Sequence, residues 1–183
     1  MKLEYIVKEI DNGKTIKDIL ISKIKISKRL LTTLKKENCI FLNNEQSYIY
    51  KTVVFGDIIE VSFDYEEDNS NIVSQNIKLD IIYEDECYLV VNKPSGIPVH
   101  PSILHYEDSL SSCIKYYFDS INLKKKIRPV NRIDKDTSGL VLFAKNEYIQ
   151  EALIRQMKNR EFTKQYLGIV EGYFENDLKK RNY

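Results

Sequence analysis

Residues 131–145, NRIDKDTSGLVLFAK, do most to decide the fold, because a polar loop gives way there to a strongly apolar strand. The turn formers DTSG at 136–139 precede the apolar run LVLFA, and RPV at 128–130 leads into the loop as a short strand. The pattern predicts two strands joined by a loop that displays Asp134, with Arg132 two residues before it.

The segments around this loop predict further strands and helices. Apolar runs of strand length occur at 79–83 (LDIIY), 87–93 (CYLVVNK) and 162–172 (FTKQYLGIVEG). We expect helices at 109–118 (SLSSCIKYYF) and after Asn146, a candidate N-cap. The apolar stripe of the second of these helices comprises Ile149, Ala152, Leu153 and Met157. The predicted class is α+β, with a mixed or mainly antiparallel sheet flanked by helices.

The first 63 residues predict a helical pair followed by short strands. Apolar residues keep helical spacing from Ile16 to Ile24 and again from Leu30 to Leu34, and Ser27 lies where an N-cap is expected. CIFLNN at 39–44 predicts a strand entering an Asn-Asn turn, and VVFGDIIEVSF at 53–63 predicts a hairpin around its Gly-Asp pair. The outward positions of the second helix are basic: Lys28, Arg29, Lys35 and Lys36.

The formal net charge of +1 averages over three unlike segments. Residues 1–63 carry 11 basic and 8 acidic side chains, residues 64–86 carry 1 and 8, and residues 87–183 carry 16 and 11. We therefore expect an RNA-binding module at 1–63, an exposed acidic linker at 64–78 and a second domain at 79–183. Two mildly basic units can still present positive faces to a polyanion.

Hydropathy and cysteine usage bear on the compartment. The N-terminus offers no apolar run of signal-peptide length, and no later run approaches a membrane span, so we expect a cytoplasmic protein without membrane contact. Cys39, Cys87 and Cys113 are widely spaced and form no metal or redox motif. We expect buried or half-buried thiols and no metal site.

Asp134 is the candidate for chemistry. A carboxylate displayed at a strand end beside a cation such as Arg132 stays ionised and can serve as a nucleophile or a base. The alternative is structural, because Asp, Thr, Ser and Gly build tight turns by bonding to their own backbone. Residue types alone leave both open.

Two resemblances bear on these alternatives. ISKRLLTTLKKENCIFLNN followed by GDIIEV resembles an RNA-binding module first recognised in a small-subunit ribosomal protein. NRID followed by TSGLVLFAK is similar to the HRLD and TSGLLLFAK-like hallmark of RluA-type pseudouridine synthases. YEDECYLVVNKPSGIPVHPS and FTKQYLGIVEG resemble that family's opening segment and its K-x-Y segment, so the resemblance covers roughly residues 79–172.

The second resemblance implies an isomerase that converts uridine to pseudouridine in structured RNA without a cofactor. It implies that Asp134 attacks the target nucleoside, that Tyr166 stacks on the target base, and that Arg132 enters the RNA stack. Arg128 and Lys135 are further candidates for RNA phosphates. Structural alternatives are a surface ion pair between Arg132 and Asp136 and a core position for Tyr166. A structural role in shaping the cleft is expected for Lys93, Pro94, Gly96 and His100.

The chain departs from the family pattern in the loop and at its end. Asn131 and Ile133 stand where His and Leu are commoner, and asparagine cannot titrate near neutrality. The family also continues for about another hundred residues, with a TGRTHQIR-like segment whose arginine pairs with the aspartate. We therefore expect a C-terminally truncated catalytic domain that is inactive or feebly active alone and that tends to aggregate or to require a complementary fragment.

The expected partner is RNA, ribosomal rather than transfer RNA and, by resemblance, that of the large subunit; a full-length protein would be monomeric. A non-catalytic RNA-binding protein is the alternative from another class. A glycoside hydrolase using Asp134 and Asp136 fits less well, because the chain has no tryptophan to stack on a sugar and turn formation explains Asp136.

Overall fold

The computed structural model describes residues 1–101 and 108–172 and divides their strands between two four-stranded sheets. The strands are β1 (Lys2–Ile6), β2 (Ile40–Leu42), β3 (Glu45–Gln46), β4 (Ile58–Ser62), β5 (Ile81–Glu84), β6 (Tyr88–Lys93), β7 (Arg128–Pro129) and β8 (Gly139–Ala144). The α-helices are α1 (Ile16–Ser22), α2 (Lys28–Lys36), α3 (Leu110–Ser120) and α4 (Glu147–Lys158). The α+β class is confirmed, and every strand pair in the described ranges is antiparallel.

The first sheet has the order β1-β4-β2-β3, and α1 and α2 supply the other half of its core. Ser27 caps α2 as predicted, because its Oγ accepts a hydrogen bond from Leu30 N at 3.1 Å. Leu30, Leu31 and Leu34 are buried, so the other face of α2 is left to solvent. The predicted helical pair is thus confirmed.

The turns of the first sheet agree with the predictions only in part. Asn43 and Asn44 have φ angles of 52° and 68° between β2 and β3, which confirms the Asn-Asn turn. The predicted hairpin at 53–63 is wrong, because β4 pairs with β1 and β2 instead. Asp57 closes a local turn by accepting from Val54 N at 2.8 Å.

The second sheet has the order β5-β6-β8-β7, with β6 and β8 at its centre. Their register runs from Tyr88 opposite Ala144 to Lys93 opposite Gly139. The predicted strands at LDIIY, CYLVVNK and LVLFA and the predicted helix α3 are confirmed. The sheet and α3 share a buried core that includes Leu89, Val91, Ile114, Phe118, Val141 and Phe143.

Helix α4 lies between the two sheets. Asn146 caps it as predicted, accepting from Ile149 N at 2.9 Å, although its apolar stripe is only half-buried. The Tyr148 hydroxyl donates to Ile24 O at 3.1 Å, and its ring stacks on Phe63 with centroids 5.4 Å apart. The helix therefore joins the second sheet to the core of the first.

Two predictions about irregular segments need correction. The stretch 64–78 is not simply exposed, because Tyr65 and Asn69 are buried and Asn69 Oδ1 accepts from Ile127 N at 3.0 Å. The predicted strand at 162–172 is wrong, because these residues have no regular structure. A strand requires a partner for its backbone groups, and none of the described strands pairs with this segment.

The described helices and the three cysteines bear on the predictions about membrane contact and thiols. In the ranges that the structure describes, no helix combines the length and the apolar character needed to cross a bilayer. Cys39 and Cys113 are buried and Cys87 is half-buried, all three as free thiols, in agreement with the prediction.

Candidate functional site

Asp134 lies in the loop between β7 and β8, as the sequence predicts. Thr137 N donates to Asp134 O at 3.1 Å, which closes the predicted turn, and the side chains of Asp134, Lys135 and Asp136 are exposed. The turn therefore uses the backbone of Asp134 and leaves its carboxylate open to solvent. The structural and the chemical interpretations of this residue are compatible.

Lys93 anchors the loop from below. Its side chain is fully buried at the end of β6, and Nζ donates to the carbonyls of Pro94 at 2.9 Å, Ile97 at 2.8 Å and Lys135 at 2.7 Å. Burial lowers the pKa of Lys93, and the negative charges of Asp136 and Asp134 act against that shift. One ammonium thus fixes the residue that follows Asp134 and lends the loop positive charge.

A turn after β6 adds a second set of contacts to the same loop. Gly96 N donates to Lys135 O at 2.9 Å, and Ser95 Oγ donates to Asp136 O at 2.8 Å. Gly96 has φ 93°, a conformation that residues with a Cβ rarely adopt, so glycine suits this approach. Lys93 and Gly96, which are expected to shape the cleft, therefore hold the backbone of the Asp134 loop.

Asn131 holds the other end of the loop. Its Nδ2 donates to Leu140 O at 3.0 Å and its Oδ1 accepts from Leu142 N at 2.8 Å, so its amide extends the pairing on β8. The side chain is buried. An amide offers a donor and an acceptor at every pH near neutrality, which explains how asparagine serves at this position without a titrating group.

Arg132 is exposed beside His100. Burial chiefly lowers the pKa of His100, and the positive charge of Arg132 lowers it further. Among the described residues no salt bridge joins Arg132 to Asp136, so the surface ion pair considered for it is not formed. The guanidinium remains exposed on the Asp134 side of the sheet.

The structure corrects the role expected of Arg128. Its side chain is 7% exposed, and Nη1 donates to Glu67 Oε2 at 2.7 Å while Nη2 donates to the other carboxylate oxygen. A buried guanidinium held by a carboxylate is not presented to RNA phosphates, so the expected RNA contact is wrong. Instead, the pair ties strand β7 to the segment once expected to be a free linker.

The basic side chains of α2 are exposed, as their spacing predicts. Arg29 also has a structural partner, because its Nε lies 3.1 Å from Glu147 Oε1 at the start of α4. Lys36 lies 3.8 Å from Glu37, and Lys28 and Lys35 complete the face. The basic face as a whole is exposed to solvent, although the Arg29 guanidinium also pairs with Glu147 of α4.

Tyr166 is not joined to the Asp134 loop. Its side chain is 64% exposed in the irregular segment at 162–172, so Tyr166 is not the core aromatic of the structural alternative. Leu167 and Ile169 nearby are fully exposed. In the described parts of the chain no hydrogen bond or ring contact links Tyr166 to residues 131–139.

Comparison with known protein families assigns the region that contains the Asp134 loop to a family. The family described as RNA pseudouridylate synthase matches residues 87–183, a range that contains β6, the Asp134 loop and α4. This chain belongs to that family. In this chain, hydrogen bonds join the Asp134 loop to Lys93 and to the turn at Ser95-Gly96.

Curated relatives support the same assignment. The chain is 39% identical to ribosomal large subunit pseudouridine synthase D of Blochmanniella floridana, over 75% of this chain and 44% of the relative. It is 36% identical to the protein of the same name from Borreliella burgdorferi, over 86% and 49%. The chain thus spans about half the length of these relatives.

A solved structure is also similar. Human RNA pseudouridylate synthase domain containing 1 aligns at 25% identity and a TM-score of 0.37, over 45% of this chain and 29% of that chain.

Two contacts of the site were not predicted from the sequence. The burial of Lys93, which was expected only to shape the cleft, could have been found, because Leu89, Val91 and Lys93 alternate on one face of β6 and all three are buried. Glu67 gave no such signal, since it lies in an acidic stretch typical of a solvated segment. As for metal ions, no cluster of three or more potential His, Cys, Asp or Glu ligands occurs in the described ranges.

Proposed function

We propose that this chain carries the catalytic aspartate of an RNA pseudouridine synthase and that Asp134 attacks the target nucleoside. The observation that carries the proposal is the Asp134 loop itself: a solvent-facing carboxylate on a backbone held by the buried Lys93, within the range that matches the family. Such a loop fixes the backbone that carries the carboxylate, which limits the positions that the nucleophile can take.

The reaction suits these residues. The bond from the anomeric carbon to nitrogen one of uracil breaks, the base turns, and carbon five forms the new bond, so no atom is gained or lost and no cofactor is needed. The uridine must leave its stack to reach Asp134. Arg132 is exposed where it can enter the vacated place, and Lys135 adds a cation for phosphates. Tyr166 is the proposed stacking partner of the base.

We further propose that the substrate is large-subunit ribosomal RNA, in keeping with the names of the relatives, and that the protein acts as a cytoplasmic monomer without a metal ion. Residues 1–63 would bind RNA and residues 79–183 would carry the chemistry. The exposed basic face of α2 supports the first assignment, because Lys28, Lys35 and Lys36 can only neutralise or position phosphates.

The decisive experiment compares two neighbouring carboxylates. In any active form of this protein, Asp134→Asn should abolish pseudouridine formation in unmodified RNA, scored by chemical derivatisation and reverse-transcription stops, while RNA binding stays nearly intact. Asp136→Asn is the matched control, because it removes a carboxylate from the same exposed turn, and it should retain turnover. Product formation by the Asp134→Asn variant at the rate of the Asp136→Asn variant would remove Asp134 from the mechanism.

A second candidate function is RNA binding without turnover by this chain alone. It is favoured by the exposure of Tyr166 and its separation from the Asp134 loop. Replacing Lys28, Arg29, Lys35 and Lys36 by glutamine should weaken RNA binding and flatten its salt dependence. RNA binding with no pseudouridine formed would favour this function, whereas multiple turnovers by the stable chain would exclude it.

A further inference from the structure

Two tyrosines stand out from residues 1–63, on a part of the chain that the proposed chemistry does not use. Tyr48 is 87% exposed and Tyr50 is 68% exposed, whereas Ile49 between them is buried. They flank a turn in which Lys51 N donates to Tyr48 O at 3.1 Å. Two exposed rings one residue apart form a small contiguous apolar patch, the kind of surface at which proteins bind ligands.

The turn is rigid rather than loosely attached. Lys17 N donates to Ile49 O at 2.8 Å, and Ile16 N donates to Lys51 O at 3.0 Å, so both sides of the turn are tied to the start of α1. The burial of Ile49 fixes the point between the rings. The two rings are therefore presented by a preorganised backbone, which reduces the entropy lost when a ligand stacks on them.

A groove of about 280 Å³ opens beside the tyrosines. Leu34, Ile40 and Ile49 supply its apolar surface, and the amides of Asn38 and Gln46 stand at its side, joined by a hydrogen bond of 2.7 Å. Such a groove offers an apolar surface for a flat ring together with donors and acceptors for its edge.

The polar groups that a ligand can reach in the groove are the amides of Asn38 and Gln46, whose side chains are exposed. Ser47 also lines the groove, but its Oγ is fully buried and has no hydrogen-bond partner among the described residues. The two amides therefore favour a ligand with a polar edge over a purely apolar side chain.

The charged side chains beside the groove favour an anionic ligand. Lys35 is the one charged residue that lines it within the described ranges, and it belongs to the basic face of α2. Lys17 Nζ lies 5.6 Å from the centre of the Tyr50 ring. Aromatic rings interleaved with lysines fit the bases and phosphates of a single strand.

We infer that this groove binds an unpaired nucleotide of the RNA that contacts the basic face of α2. The base stacks on Tyr48 or Tyr50 with its edge toward the amides of Asn38 and Gln46, and the phosphates lie near Lys35 and Lys17. This inference rests on the proposed function, because it takes RNA as the partner. It adds a base-recognising site to a module otherwise expected to contact the RNA backbone.

The test uses the full chain and two fluorescent RNA hairpins, one blunt and one with a short unpaired uridine overhang, in anisotropy titrations. The double variant Tyr48→Ala/Tyr50→Ala should bind the overhang hairpin about tenfold more weakly, since each stacked base contributes on the order of 1–3 kcal/mol. Its affinity for the blunt hairpin should stay unchanged. Tyr48→Phe/Tyr50→Phe is the matched control and should keep the wild-type affinity for both.

Ser47→Ala is a second control. It removes a fully buried hydroxyl that has no intramolecular partner, so neither the thermal midpoint nor the affinity for the overhang hairpin should fall. Equal affinities of the wild type and the Tyr48→Ala/Tyr50→Ala variant for the overhang hairpin would overturn the inference alone. A change of oligomeric state in sedimentation, with RNA affinity intact, would also overturn it in favour of a protein contact. Failure of the wild type to bind either hairpin would overturn the proposed function as well.

Discussion

The Asp134 loop and the segment around Tyr166 differ in how each is held. Lys93 Nζ, Gly96 N and Ser95 Oγ all donate to carbonyls of the Asp134 loop, whereas the segment at 162–172 has no regular structure and exposes Leu167 and Ile169 fully. The first segment is polar and is fixed by donors at the end of β6 and in the turn that follows it. The second has the pattern of a strand, and a strand needs another strand beside it.

The largest expected effect concerns the pair that ties β7, the strand leading into the loop, to residues 64–78. Arg128→Met should lower the free energy of unfolding by about 3–5 kcal/mol, because it leaves the Glu67 carboxylate buried and unpaired. The double variant Arg128→Met/Glu67→Met should recover most of that loss. Urea denaturation measures both variants, and a double variant as unstable as the single one would contradict this account of the pair.

The anchor beneath Asp134 should have the next largest effect. Lys93→Met keeps the length of the side chain but removes the donor to three carbonyls, and it should cost about 2–3 kcal/mol of unfolding free energy. Turnover should fall too, since the Asp134 backbone loses its support. Lys78→Met is the control, because it makes the same replacement at an exposed lysine outside the loop, and it should leave stability and turnover unchanged. Wild-type stability in Lys93→Met would show that the loop is held by its turn alone.

A smaller effect probes the electrostatics beside the loop. Arg132→Gln should raise the pKa of His100 toward its ordinary value of 6.5, while burial keeps it below that value. Proton NMR of the imidazole ring during a pH titration measures this shift. Lys135→Gln is the matched control, because Lys135 does not contribute to the lowered pKa. An unchanged pKa in Arg132→Gln would place the guanidinium away from His100.

The same histidine links pH to stability. Its folded pKa lies below 6.5, so between the two values the unfolded chain binds more protons than the folded chain, and stability rises with pH. The contribution of neutral His100 is therefore complete above pH 6.5 and is lost as the pH falls toward the folded pKa. His100→Gln should remove this part of the slope in denaturation measured from pH 5 to 7.

The smallest effect is expected at Tyr166. Tyr166→Ala should change the free energy of unfolding by less than about 0.5 kcal/mol, because its side chain is 64% exposed. Tyr65→Ala is the matched control: that ring is 9% exposed, and its removal should cost about 3 kcal/mol. Similar losses in the two variants would mean that the segment at 162–172 is packed as firmly as residues 64–78.

Local signals in the sequence predicted the elements that depend on near neighbours. Ser27 and Asn146 cap helices by accepting from an N–H three residues later, and the Asn43-Asn44 turn joins adjacent strands. The burial of Lys93 was not predicted, although the two-residue period of β6 is a local signal that points it inward. Each of these structures is set by residues within one turn or one strand.

The misassigned residues depend on distant partners. Arg128 and Glu67 are 61 residues apart, and each alone has the appearance of a surface charge. The pattern at 162–172 specifies which residues would face together in a strand but not which strand would pair with them. The hairpin predicted from the Gly-Asp pattern is wrong for the same reason: β4 pairs with the distant β1 and with β2, and Asp57 only closes a local turn.

The sequence by itself determined the α+β class, the helix caps, the loop that displays Asp134 and, through its ordered motifs, the family of the chain. The tertiary structure alone decided which charges are available to a ligand: Arg132 is exposed, Arg128 is buried against Glu67, and Lys93 supports the Asp134 loop. The physical reason is that caps and turns are stabilised by contacts within a few residues. Burial and ion pairing are decided by segments that meet only when the chain has folded.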